Sequence, residues 1–300
     1  MPGGGRAAMT QAEDPLLLES APLAWRLAPG LCRKDPASGE SCAWVHGFWQ
    51  YLRLLGLAST PGLHVNFFSD ALTGLAGGRA APRVLISGAA DYSMLARVLG
   101  AYHARGLQPE ITVVDRCETP LMLNRWFAER AETEITTRLC DIFDFSEARP
   151  YDVVCTHSFL SEFPRDRWPR LVGKWRELLR PGGAAITINR VRPGSGPAPA
   201  QFTPGQADAF RAAVLEKAPT LPPATGVDPG LLEQAAETYA SRRRTWPAPS
   251  REHLVALFEN AGFRIESLSI GAVASGMPAR ISGPTTPGSA DYARIVAIGR

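Results

Sequence analysis

The sequence predicts an α/β chain built on a doubly wound, mostly parallel seven-stranded sheet with an antiparallel last strand. Three observations carry that prediction. Short β-branched runs alternate with amphipathic helical patterns from Arg83 onward. The run "RVLISGAADYS" brings a strand into a lone glycine and a small polar turn, where such a sheet meets its ligand. The chain closes on two strand-like segments whose connection lacks the pattern of a crossover helix, so they should pair antiparallel.

Taken in order, residues 1–25 read as a disordered segment, because "MPGGGRAAMTQAEDP" is small, polar and broken by proline. Residues 26–80 read as an N-terminal helical cap. Its segment "SCAWVHGFWQYLRLLGLA" is apolar almost all round, with His46, Gln50 and Arg53 at i, i+4 and i+7. This narrow polar stripe reads as the water-facing side of a core-packed helix. The alternative is a lid whose stripe or aromatics reach an acceptor pocket.

Residues 81–190 carry the alternation itself, through "RVLIS", "EITVVD", "TEITTRL", "YDVVCT" and "AAITIN". Between the first two strands Met94, Leu95, Val98, Leu99 and Tyr102 recur at helical spacing, and Gly106 provides the stop. The next helix opens at "ETP", with Thr119 suited to the cap and Pro120 to the first helical position. Trp168, Leu171, Val172, Trp175, Leu178 and Leu179 line one face of the clearest helix, which "RPGG" should end. Residues 191–248 break the pattern: a Pro/Gly-rich linker leads to helices at 205–217 and 229–244, an insertion that would roof the site. Residues 249–300 return to it, with a helix capped by Ser250, a Gly262 stop, a strand from Phe263 to Ile270, a long loop over 271–290 and the final "DYARIVAIGR".

Composition narrows the function classes. A net charge of +3 over 300 residues is too weak to imply a nucleic-acid partner, and Arg242 to Arg244 read as a solvated helix terminus. The five cysteines (32, 42, 117, 140 and 155) form no CxxC pair, and no histidine is spaced beside them as a metal site would require. No metal is therefore expected, and reduced thiols fit a cytoplasmic location. No apolar run approaches the roughly 20 residues of a membrane span. The start lacks a signal peptide's apolar core, and the sequence carries no sign of oligomeric state.

Ligands of such a sheet bind beyond the carboxyl ends of its strands, which singles out Gly88–Asp91, Asp115, Cys140–Ile142 and His157–Phe163. Asp115 ends the second strand, 27 residues beyond Gly88, where a carboxylate can accept from both hydroxyls of a ribose. The "VVD" acid, the "CDIFDF" turn, "RELLRPGGAAITIN" and the closing hairpin resemble the class I S-adenosylmethionine-dependent methyltransferase family over about 83–190 and 249–300.

That resemblance implies S-adenosylmethionine as cofactor and methyl transfer to an oxygen, nitrogen or carbon of a small-molecule acceptor. It implies close backbone approach to the cofactor at Gly88, Ala89 and Ala90, ribose binding at Asp115, and adenine binding by Asp141 and Ile142. The family's acid two positions before the glycine, and its glycines two and four positions after, are replaced by Ile86, Ala90 and Tyr92. Asp91 then either holds the methionine ammonium or caps the following helix, and one carboxylate can serve both. His157 and Glu162 fall where the family faces the transferring methyl and are the candidates to deprotonate an acceptor. For His157 the alternative is a packed, hydrogen-bonding role. Cys155 lies inside a strand and reads as core. The signatures of nucleic-acid methylation are absent, which leaves nucleic acid unexpected as an acceptor. Rival readings are a same-fold enzyme that transfers or cyclises the aminopropyl arm, and a non-catalytic cofactor-binding module. A nicotinamide dehydrogenase is disfavoured because GxGxxG is missing.

Overall fold

Seven strands form one sheet: β1 (Arg83–Ser87), β2 (Glu110–Asp115), β3 (Ile135–Leu139), β4 (Tyr151–His157), β5 (Leu179–Val191), β6 (Phe263–Gly271) and β7 (Asp291–Gly299). The computed structural model describes residues 15–35, 39–74, 81–273, 283–284 and 291–300. The strand order is β3-β2-β1-β4-β5-β7-β6, with β7 antiparallel to both of its neighbours and the first five strands parallel. The chain winds outward from β1 through β2 to β3, then returns to place β4 on the other side of β1. That reversal opens a crevice at the carboxyl ends of β1 and β4.

Central strands must be apolar on both faces when helices cover both. Val84, Leu85 and Ile86 of β1 are accordingly all fully buried. Helices α6 (Trp168–Leu178) and α9 (Arg251–Asn260) cover one face, with Leu171, Val172 and Trp175 packed on the side shared by Leu85, Val154 and Ala185. Each aliphatic side chain buried there contributes about 1.5–3 kcal/mol. Trp175 also satisfies its indole, donating from Nε1 to Ser87 Oγ at 3.0 Å. Helices α3 (Val65–Gly74), α4 (Ser93–His103) and α5 (Glu118–Arg130) cover the opposite face, against Val84, Ile86, Val113 and Cys155. At α9 the expected cap is present, Ser250 Oγ accepting from His253 N at 3.2 Å.

A third core lies off the sheet. Helices α1 (Pro15–Leu31) and α2 (Ala43–Leu54) pack with α7 (Pro204–Lys217) and α8 (Pro229–Arg242) through Phe48, Tyr51, Phe210, Val214 and Tyr239. The N-terminal cap and the insertion therefore share one helical body. No helix among the described residues is long and apolar enough to cross a membrane.

Several local expectations are corrected. Residues 15–25, expected to be disordered, belong to α1, whose Leu17, Ala21, Ala24 and Ala28 form a fully buried stripe at helical spacing. Pro22 and Pro29 lie inside that helix and conceal it from a reading that takes proline as a stop. The cap position of α5 is Cys117 and not Thr119, which points its hydroxyl to within 3.1 Å of Cys32 Sγ. "RPGG" does not end α6 as a turn but forms the start of β5, where the pairing with β4 shifts register between Tyr151 and Val153. Most of the 271–290 loop, like residues 1–14, lies outside the described residues.

Candidate active site

A cavity of about 470 Å³ opens at the carboxyl ends of β1, β2 and β4. Gly88, Ala89, Ala90, Asp91, Asp115, Asp141, Ile142, His157 and Glu162 all line it, so the residues singled out by strand ends converge on one place. A volume of this order suits a small ligand and cannot admit a duplex.

Gly88 turns the chain out of β1 with φ +74°, a left-handed conformation that favours glycine, and donates from N to Val114 O at 2.9 Å. A Cβ there would overlap the Phe159 ring, so a side chain of the protein itself makes the closest approach to this glycine. Asp115 is held from two sides: Oδ2 accepts from Ala89 N at 2.9 Å and Oδ1 from Cys117 N at 2.8 Å. Each oxygen keeps acceptor capacity for a further donor. Desolvation by burial pushes Asp115 up to about 6, against the opposing influence of His46 and the two amides. In the "CDIFDF" turn, Asp141 Oδ1 accepts from Phe143 N at 3.0 Å and shapes the loop that presents Ile142.

Asp91 is almost wholly buried, and its charge has an internal answer. Oδ1 accepts from Ser93 N at 2.6 Å at the start of α4, while Oδ2 accepts from Trp49 Nε1 and Arg53 Nη1, both at 2.9 Å. The cap position of α4 is Tyr92, so Asp91 takes the first amide of the helix from one residue outside it, and its charge partner is a guanidinium of α2. The same contacts overturn the water-facing reading of the α2 stripe. Gln50 is fully buried and Arg53 is 5% exposed. Each finds a partner inside, Ser20 Oγ donating to Gln50 Oε1 at 3.0 Å and Arg53 reaching Asp91. Trp44, Val45, His46 and Trp49 give α2 a wall of the cavity. Of the insertion over residues 205–244 that was expected to roof the site, Arg243 lines the cavity among the described residues.

Arg243 also departs from the solvated terminus expected of the arginine run. It turns inward and pairs with both carboxylate oxygens of Glu162, Nη1 to Oε2 at 2.8 Å. Glu162 is therefore engaged by a guanidinium at the cavity wall. His157 is half-buried in the cavity wall, and desolvation first, then His64 and Arg190, push its pKa well below the ordinary 6.5. Its imidazole is neutral, with Nε2 lacking a hydrogen-bond partner within the protein. His64, whose ring centroid lies 5.5 Å away, is likewise pushed down to about 3 by burial and Arg294.

Sequence reasoning missed two features. Ser158 follows β4 at φ +56°, a conformation few non-glycine residues adopt, and its buried Oγ has no partner within the protein. Nothing in a serine codon position signals that strain. The second feature is a cluster of Cys32, Cys42, His46 and Cys117, whose ligand atoms lie within 4.8 Å of one another. Cys42 and His46 stand at i and i+4, one face of a helix, and that spacing was the available signal. Its thiols share hydrogen bonds with one another. The hydrogen bond with Cys117 most favours the Cys42 thiolate, down to about 3, whereas the one to Cys117 pushes Cys32 up.

A seven-stranded sheet with β7 alone reversed is what the sequence resemblance implies, and the strands have that doubly wound, Rossmann-like arrangement. No family model and no curated protein matches it. Solved structures of this fold resemble it at low identity. Magnesium protoporphyrin IX methyltransferase from Synechocystis PCC 6803, with bound SAH, is 12% identical over 95% of this chain and 96% of its own, with a TM-score of 0.48. The pyocyanin biosynthetic protein PhzM is 16% identical over 92% of this chain and 62% of its own, with a TM-score of 0.48. The N-methyltransferase NodS from Bradyrhizobium japonicum WM9 is 12% identical over 80% and 89%, with a TM-score of 0.45.

Proposed function

We propose that this methyltransferase-fold chain binds S-adenosylmethionine and methylates a small-molecule acceptor. The observation that carries the reading is Asp115, fixed by two backbone amides at the end of β2 with its remaining acceptor capacity at the cavity. A carboxylate so held matches the paired hydroxyls of a ribose. Asp141 and Ile142 would take the adenine, and Ala89 and Ala90 are small enough to let the ligand approach the loop.

Bound S-adenosylmethionine supplies an electrophilic methyl on a sulfonium, and the reaction is an in-line displacement. The work left to the protein is alignment and exclusion of water. Trp44 and Trp49 of α2, with Phe159 and Phe163, wall the cavity against solvent. The neutral His157 can accept a hydrogen bond from the acceptor at Nε2, and Ser158 Oγ can orient the acceptor beside it.

One observation favours a second reading. Ile86 lies in the core, and Asp91 is paired with Arg53, so the one carboxylate within the loop does not await an ammonium. The amino-acid arm is then held by other groups, and displacement at another carbon of the sulfonium becomes an alternative. Incubating the purified protein with S-adenosylmethionine and a metabolite extract, then identifying the nucleoside product by mass spectrometry, distinguishes them. S-adenosylhomocysteine is expected. Methylthioadenosine above its spontaneous rate selects the second reading, and absence of S-adenosylmethionine binding by calorimetry overturns both.

A further inference from the structure

We propose that Cys32, Cys42, His46 and Cys117 form a structural zinc site that fastens α1 and α2 to the β2–α5 loop. The three segments carry no local metal signature, because the residues come together only in the folded chain: Cys32 just beyond α1, Cys42 and His46 at the start of α2, and Cys117 at the start of α5.

Distances support four-coordinate binding. Cys42 Sγ and Cys32 Sγ each lie 3.5 Å from Cys117 Sγ, and Cys32 Sγ lies 3.4 Å from His46 Nδ1. A tetrahedron with Zn–S bonds of ~2.3 Å and a Zn–N bond of ~2.0 Å has edges of roughly 3.5–3.8 Å. The three edges above need to open by at most a few tenths of an ångström, and the others, all within 4.8 Å, to close by up to about 1 Å around the ion.

The chemistry of the donor set agrees. Three thiolates and one imidazole form a soft set that selects zinc over calcium or magnesium. Two of the sulfurs sit at helix N-termini, Cys42 at the cap of α2 and Cys117 at the cap of α5, where backbone amides favour negative charge. Arg116 adds a favourable charge toward Cys42. Thr119 Oγ1, 3.1 Å from Cys32 Sγ, is placed to donate to a thiolate there, as hydrogen bonds around metal-bound sulfurs do. Binding expels the thiol protons to solvent and changes no oxidation state.

The placement defines a role. Four protein ligands leave no open coordination position, which marks a structural and not a catalytic ion. Cys117 N also donates to Asp115 Oδ1, while His46 and Cys42 share the cavity wall with Trp44 and Trp49. The ion would thus hold together the α2 wall and the loop that carries the candidate ribose carboxylate. The inference stands on the side-chain cluster alone and does not require S-adenosylmethionine binding.

The test uses the full chain purified anaerobically under reductant. Elemental analysis should find one zinc per chain, and after removal of the metal, one equivalent of Co²⁺ should give the intense visible bands of tetrahedral cobalt with a sulfur-to-metal charge-transfer band. In the unaltered protein, a chelator should expose three additional thiols to a thiol-reactive dye, a readout that needs no variant. Cys42→Ser should lose the charge-transfer intensity of one thiolate, whereas Cys140→Ser should retain it. A cobalt spectrum unchanged from the hydrated ion, or a disulfide joining two of the three cysteines in the anaerobic protein, overturns the site.

Discussion

Replacing Asp91 by asparagine should loosen α2 from the loop that follows β1. The carboxylate takes three donors in a place with no measurable access to water: Ser93 N at 2.6 Å, Trp49 Nε1 at 2.9 Å and Arg53 Nη1 at 2.9 Å. An asparagine amide has one acceptor oxygen. If it keeps the Ser93 bond, its NH₂ group faces two donors, leaving buried N–H groups unsatisfied at about 1–3 kcal/mol each. Arg53, 6% exposed in its side chain, also loses its counter-charge. Removing one partner of a buried ion pair costs about 3–5 kcal/mol in total, and that is the loss expected for Asp91→Asn. At roughly 2 °C per kcal/mol for a chain of this size, the melting temperature should fall by roughly 6–10 °C. Arg53→Met should cost a similar amount, since it strands the carboxylate. The double variant should cost less than the sum of the two, with a coupling above ~1 kcal/mol. Urea denaturation of the four proteins measures the cycle. Single losses below ~1 kcal/mol, or strict additivity, would refute the argument that this pair anchors α2.

Asp115→Asn should weaken S-adenosylmethionine binding by about 1–3 kcal/mol, roughly 5- to 150-fold, in calorimetry of a folded variant. Unchanged affinity removes Asp115 from the site. Gly88→Ala, placed at φ +74° against the Phe159 ring, should lose more than ~1 kcal/mol of stability, and adding Phe159→Ala should recover the steric part. A neutral Gly88→Ala contradicts the close approach. His64 and His157 both have folded pKa values below the ordinary 6.5. Below about pH 6.5 the unfolded chain binds protons that the folded chain refuses, so stability should fall with pH by up to ~1.4 kcal/mol per unit for each histidine. In an imidazole-carbon NMR titration, His157 should keep its neutral signature as the pH falls through the ordinary 6.5, and protonation there would contradict its desolvation.

The parallel sheet was legible because its signal is local. A strand covered on both faces must be apolar along its middle, as Val84, Leu85 and Ile86 are, and a helix on the sheet repeats its apolar positions as α6 does. Strand ends then located Gly88, Asp115, Asp141 and His157, which share one cavity because the topology brings the carboxyl ends of the parallel strands to the same edge. Periodicity records whether a position is covered and does not record what covers it. The α2 stripe has the same pattern whether water or protein answers it, and here its partners Ser20 and Asp91 lie 30 and 38 positions away. Glu162 meets Arg243 across 81 positions, and Cys117 meets Cys32 across 85. The sequence determined which faces are buried, since transfer of apolar surface from water depends on each residue's own chemistry. Only the tertiary structure decided which polar groups pair, because that depends on the distance between segments the chain order does not relate.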